Sequence, residues 1–174
     1  MTFDVGAPRP PCPPYEGSYR EGIPRQKRLL AITTFYKHFG LRMSEDEHKR
    51  ELPDHIAAEL EFMHFLTFKE AQARSVSDED LARGYVLAQH DFLARHLALW
   101  MGKFAERLTT AGKCDAFGLL AGLAAGFIGK ELAFAGERLS AWGMADKIES
   151  PEDDEERAPP MPDDTGGGCP LAGG

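Results

Sequence analysis

The sequence predicts an all-α fold: a single helical bundle-like domain of about five helices, with an extended Pro-rich N-terminal segment and a disordered acidic C-terminal tail. Three observations predict it. Apolar residues recur at helical spacing along residues 29–39, 56–66 and 117–134. No stretch alternates apolar and polar residues over the length a strand needs. Proline and glycine gather outside these stretches, which divides the chain into an extended segment 1–23, a helical body 24–144 and a tail 145–174.

Pro8, Pro10, Pro11, Pro13 and Pro14, with Gly6, Gly17 and Gly22, exclude regular structure from residues 1–23 and suggest a segment lying on a surface, anchored by Tyr15 and Tyr19. A first helix carries Pro24 in its first turn and stops at Gly40, with Leu29, Ile32, Tyr36 and Phe39 on one stripe and Leu30 and Phe35 flanking. Residues 42–50 are highly charged and read as a loop. The second helix, about 54–74, opens on Glu51-Leu52-Pro53-Asp54-His55; Pro53 fixes its own φ and Asp54 is a residue type that caps free backbone N–H groups. Ile56, Leu60, Phe62, Met63 and Leu66 face inward at helical spacing. Ser77 followed by Asp80 resembles a capping box and starts a third helix reaching about His96. Residues 97–102 read as a corner, a fourth helix spans 101–110 and ends at Gly112, and a fifth runs from about 115 to 142. Gly118, Gly122, Gly126 and Gly129 lie about one turn apart in that fifth helix and permit close helix packing. With Lys130 and Glu131 also present, it reads as a tightly packed core helix rather than a lipid span. From Pro151 onward the composition is Glu, Asp, Pro and Gly, too poor in apolar surface to offset the entropy of ordering.

At 174 residues, 43% hydrophobic and 28% charged, the chain suits one soluble domain. No basic stretch followed by an apolar one opens it, so no secretory signal is visible and a cytoplasmic location follows. Cys12, Cys114 and Cys169 are too few and too scattered for a disulfide framework or a thiolate zinc site. From Asp146 onward nine acids face only Lys147 and Arg157, which accounts for nearly all of the net charge of −8. The body is close to neutral, and no basic stripe suits nucleic acid.

Catalysis is not advertised. There is no Walker-type phosphate loop, no Gly-x-Ser-x-Gly elbow, and no Cys and His in a nucleophile arrangement, so no catalytic residue, metal or cofactor is assigned. The enzymatic alternative is a metal-dependent helical bundle: Glu45 with His48 and Glu61 with His64 have the Glu-x-x-His spacing of di-iron carboxylate sites. Against it, the stretch carrying Glu45 and His48 has no apolar face. A third class is a generic helical adaptor whose acidic tail meets a basic partner.

Three segments carry a further signal: Cys12-Pro13-Pro14-Tyr15-Glu16-Gly17-Ser18-Tyr19, residues 51–63 with Pro53-Asp54-His55, and Asp91-Phe92-Leu93-Ala94-Arg95-His96-Leu97-Ala98-Leu99-Trp100. In order and spacing the chain resembles the TorD/DmsD/NarJ family of cytoplasmic assembly chaperones for molybdopterin oxidoreductases, most closely the branch serving dimethyl sulfide, ethylbenzene, chlorate and selenate enzymes. The resemblance covers about residues 3–142 and departs from the family in one respect: the helices that usually precede the Pro-Pro-Tyr segment are not present in this sequence. It implies a non-catalytic chaperone that holds the immature catalytic subunit, with its twin-arginine signal peptide, until cofactor insertion and folding are complete. It places peptide recognition at the Pro-Asp-His region, comprising Tyr15, Tyr19, Glu51, Pro53, Asp54, His55, Glu59 and Phe62. The chemistry is compatible: Glu51, Asp54 and Glu59 offer carboxylates to guanidinium groups, Tyr15, Tyr19 and Phe62 offer aromatic faces, and His55 offers a group tuned by protonation. Phe62 also fits a core position. With apolar stripes left to cover, a homodimer is expected.

Overall fold

The computed structural model describes residues 10–42, 52–112 and 115–148. The acidic tail from Pro151, the charged stretch 43–50 with Glu45 and His48, and the site candidate Glu51 lie outside the described residues. Within them the secondary structure is helical: α1 (Arg25–His38), α2 (Ile56–Ser75), α3 (Glu79–Phe92), a π turn (Leu93–Leu97), α4 (Ala98–Ala111) and α5 (Asp115–Ala141), with short 3-10 turns at Glu16–Ser18 and Ala145–Lys147.

The corner expected at 97–102 is absent. Phe92, Leu93, Leu97 and Ala98 all keep right-handed helical dihedrals, so α3 and α4 form one long rod through the π turn. The inward residues explain it. Leu93, Leu97, Met101 and Ala105 are buried and recur every four residues, whereas a regular α-helix drifts about 40° over four residues. The wider π turn absorbs that drift and keeps the stripe on one side. Gly102, the last residue of the expected corner, is exposed in mid-helix.

Helix ends follow local chemistry, with two corrections. His55, not Asp54, caps α2, its Nδ1 accepting from the Ala57 N–H at 3.2 Å. Asp78, not Ser77, caps α3, accepting from the Leu81 N–H at 3.0 Å, because Ser77 occupies the left-handed region at φ 60° in the turn between α2 and α3. Gly40 and Gly112, at φ 76° and 63°, follow α1 and end α4 as expected.

The core gathers around Phe35 and Tyr36 of α1, Phe62 and Leu66 of α2, and Phe92, Leu97, Trp100 and Met101 of the long rod. Several of its aromatic pairs pack edge-on, as with Phe62 and Phe92, whose ring centroids lie 4.7 Å apart, while Phe62 and Phe65 stack. At the far end Glu70 of α2 accepts from Arg138 of α5, from Gln89 of α3 and from Arg74, joining three helices. Burial pushes the Glu70 carboxyl up, but these donors outweigh it and hold it below its usual value.

α5 corrects the expectation of a tightly packed core helix. Ala121, Ile128, Ala135 and Leu139 are buried on one side, while Leu119, Leu120, Leu123, Phe127 and Phe134 remain 53–68% exposed on the other. Of the four glycines expected to permit close packing, only Gly118 does so, a Cβ there lying 2.9 Å from Thr109 Oγ1; Gly122, Gly126 and Gly129 face open space. Residues 116–141 are long and apolar enough to cross a membrane, with a mean hydropathy of 1.5. The helix nevertheless lies along the rod, with its buried side against α3 and α4.

Candidate functional site

Residues 10–23 form a strap across the start of α2 and the face of α4. Prolines keep it extended, and it pairs with residues 54–56 through one antiparallel bridge: the Glu16 N–H donates to the Asp54 carbonyl at 2.9 Å and the Ile56 N–H to the Pro14 carbonyl at 3.0 Å. A 3-10 turn then directs Tyr19 onto α4, where its ring stacks on Trp100 and meets Phe104 edge-on, each at 5.6 Å. Arg107 covers the same ring, and burial raises the Tyr19 phenol to about 12. Cys12 is fully buried beside the Arg107 carbonyl.

Three buried carboxylates lie under the strap. Glu16 accepts from Arg20 Nη1 at 2.6 Å and contacts His96 Nδ1 at 3.1 Å. Burial pushes its carboxyl up, but hydrogen bonds and charge from His96 and Arg20 outweigh that and hold it below the usual range. Glu59 of α2 accepts from Trp100 Nε1 at 3.1 Å. Burial, joined by the Glu16 charge, raises its carboxyl well above the usual value. Asp54 accepts from the Gly17 N–H at 3.1 Å, with Arg28 Nε at 3.9 Å. Its carboxyl is raised by burial, opposed by Gly17 and Arg28. Arg28 also packs directly on Gly17, where a Cβ would collide with its guanidinium. The Tyr36 hydroxyl closes the set by donating to the Pro53 carbonyl at 2.9 Å.

The structure therefore separates the expected site residues into two groups. Tyr19, Asp54, Glu59 and Phe62 are 0–7% exposed and enclosed by the chain's own side chains. Tyr15, Pro53 and His55 stay accessible at the rim, the Tyr15 and His55 rings meeting edge-on at 5.0 Å. The direct guanidinium contact expected of Asp54 and Glu59 meets carboxyl groups enclosed in the interior, each with one oxygen hydrogen-bonded within the chain, to Gly17 and to Trp100, and the other buried without a hydrogen-bond partner. Sequence reasoning missed Glu16, Arg20, Arg28, His96 and Trp100 as members of the cluster. Glu16 and Trp100 stood in the segments that carried the resemblance, but no local spacing links residues so far apart.

Two open spaces adjoin this rim. On one side, a cavity of about 640 Å³ is bordered by Tyr15, Asp54, Arg25, Arg28 and Arg107. Its surroundings are basic, opposite in sign to what a twin-arginine segment needs. On the other side, an apolar trough runs between α2 and α5. Its wider part, about 550 Å³, begins at His55 and Ile56 and is lined by Leu60, Met101, Phe104 and Leu120. It continues past Leu60 into a second part of about 280 Å³ that includes Met63, Leu97 and Phe127. Glu61 and His64 are exposed on α2, and among the described residues no three metal-ligating side chains gather.

Residues 1–106 match the family described as nitrate reductase delta subunit. Among curated proteins, the chain is 44% identical over 100 residues to the perchlorate reductase assembly chaperone protein of Dechloromonas aromatica, covering 58% of this chain and 43% of that protein. It is 39% identical over 107 residues to the selenate reductase assembly chaperone protein of Thauera selenatis, covering 62% and 53%. It is 37% identical over 106 residues to the chlorate reductase assembly chaperone protein of Ideonella dechloratans, covering 61% and 53%. The chain thus spans about half the length of these curated relatives. No solved structure matches it.

Proposed function

The chain belongs to the nitrate reductase delta subunit family, and on that premise we propose that it is a cytoplasmic, system-specific chaperone for the immature catalytic subunit of a molybdopterin oxidoreductase. It binds that subunit, together with its twin-arginine signal peptide, and assists cofactor insertion and folding before export. The observation that carries the reading is the apolar trough opening beside Tyr15, Pro53 and His55. A signal peptide pairs two arginines with an apolar run. The apolar run suits the trough, whose side chains at its mouth are already partly exposed, Leu60 at 43% and Leu120 at 63%. Tyr15 and His55 offer ring faces and a polar group at the entrance, and Glu51 supplies a carboxylate for the arginine pair. Asp54, Glu59, Tyr19 and Phe62 act one step back, holding the strap and α2 in position.

Calorimetry with a synthetic twin-arginine signal peptide tests this. Leu60→Asp should weaken binding about tenfold or more, the equivalent of at least about 1.4 kcal/mol, without lowering the melting temperature. His55→Asn, which removes the ring but keeps a capping acceptor at the start of α2, should weaken it with little loss of stability, whereas Asp54→Asn should weaken it only in step with lost stability. Unchanged affinity for a peptide whose apolar run is replaced by serine would refute the trough as the binding surface.

A further inference from the structure

The basic cavity beside the strap takes no part in the peptide binding proposed above. Arg25, Arg28 and Arg107 border it, and Asp54 is the one carboxylate among its described lining residues. Arg28 is 5% exposed, and its Nε stands 3.9 Å from Asp54 without a hydrogen-bond partner. Arg25 and Arg107 are exposed, and among the described residues neither is in an ion pair; Arg107 instead covers the Tyr19 ring. The sequence leaves Arg25 unmatched, because residues 22–44 hold five Lys and Arg and no acid. Three guanidinium groups against one carboxylate, around about 640 Å³ of open space, favour an anionic occupant. Pro10, Pro13 and Tyr15 form an apolar wall beside them, a surface that suits an extended proline-bearing chain better than a free ion.

We infer that the occupant is the chain's own segment Pro159-Pro160-Met161-Pro162-Asp163-Asp164, its prolines against Tyr15 and its aspartates between Arg25 and Arg107. Charge favours it: residues 149–174 carry eight acids and one arginine, while the rest of the chain is close to neutral. Reach selects the segment. Ile148, the last described residue, packs on the cluster that holds Val86 and Leu87. Arg107 lies twenty residues farther along the rod than Leu87, about 30 Å at the helical rise. The acidic run 152–156 ends eight residues past Ile148, about 25 Å of extended chain, and falls short. Asp163 is fifteen residues past Ile148, about 45 Å, and covers the distance with length left for the path around the surface. Pro159, Pro160 and Pro162 preset the extended form and lower the entropy lost on docking. Seating this segment also cancels the positive charge beside Tyr15 that opposes an arginine pair at the rim. The docking itself does not rest on that reading.

The test is photocrosslinking in the full chain with benzoylphenylalanine in place of Met161, and no client peptide present. Irradiated protein that still runs at the single-chain mass of 19.2 kDa is digested and its crosslinks are mapped by mass spectrometry. They should join residue 161 to the strap around Tyr15, to the start of α1 or to the α4 turn that holds Arg107. Asp163→Lys/Asp164→Lys changes no described residue, so the fold should persist while these crosslinks are lost. Arg25→Glu, at an exposed first-turn position where an acid suits the helix dipole, should weaken them without unfolding α1. Raising the salt to 1 M, where charges are screened beyond about 3 Å, should weaken them as well. Crosslinks that survive Asp163→Lys/Asp164→Lys overturn the proposal. So do crosslinks confined to the trough between α2 and α5, and crosslinks found only between two chains.

Discussion

Replacing Glu16 probes the joint on which the strap depends. The carboxylate is fully buried and joins Arg20 at 2.6 Å to His96 at 3.1 Å. Removing one member of a buried ion pair strands the other charge and costs about 3–5 kcal/mol. The Arg20 side chain is 19% exposed and can recover some hydration, so Glu16→Ala belongs at the lower end, about 3 kcal/mol. Glu16→Gln keeps one acceptor oxygen but loses the charge, for about 1.5–2 kcal/mol. Set against a domain stability of about 5–15 kcal/mol, both are readily measured by urea unfolding followed by circular dichroism. The near-ultraviolet band is informative because Tyr19 stacks on Trp100 only while the strap is seated. The pH dependence has a definite sign. Burial pushes Glu16 up, but His96 and Arg20 prevail and its folded carboxyl lies below the ordinary value of 4.5. Its contribution is therefore present above that value and lost as pH falls through the folded pKa. Wild type should lose this increment in acid and Glu16→Gln should not. A Glu16→Ala loss below about 1 kcal/mol would refute the joint as a source of stability.

Glu59 should behave in the opposite sense: its carboxyl is raised by burial and by the Glu16 charge, so its contribution is full in acid and is lost as pH rises through the folded pKa. Glu59→Gln keeps an acceptor for Trp100 and cannot ionise, so its urea midpoint should exceed that of wild type at alkaline pH; parallel midpoints across the pH range would exclude a strained Glu59. Ser77→Gly should stabilise the chain by about 0.5–1 kcal/mol, read as a higher melting temperature, because a non-glycine residue is disfavoured at φ 60°.

The sequence was most legible where information is local. Apolar spacing placed α1 and α2, and Gly40 and Gly112 marked where α1 and α4 end. The run from Leu97 to Gly102 misled because a π turn depends on which face must stay inward, and that is decided by α2, α5 and the strap rather than by the run itself. The outer face of α5 was misread for a related reason. Composition shows that a helix is apolar all round, but not which sides its own chain covers. In the site, residue types announced the rim, while the pairing of Glu16 with His96 spans 80 positions and leaves no periodic trace.

The segments that gave the resemblance turn out to bind one another. Glu16 of the Pro-Pro-Tyr segment meets His96, Asp54 of the Pro-Asp-His segment meets Gly17, and Glu59 meets Trp100. Each contact joins two of the three segments, and together they close a ring of strap, α2 start and long rod. The consequence concerns how effects on partner binding should be attributed. A buried member of the ring can weaken binding only by loosening the strap, so its effect on affinity must track its effect on stability. Tyr15 and His55 bridge the strap to the start of α2 through their backbones, and His55 caps that helix, but their rings stand at the mouth of the trough, so a change that spares the cap can lower affinity by more than it lowers stability. Sharing a motif therefore does not give Asp54 and His55 the same role: one sets the position of the entrance, and the other stands in it.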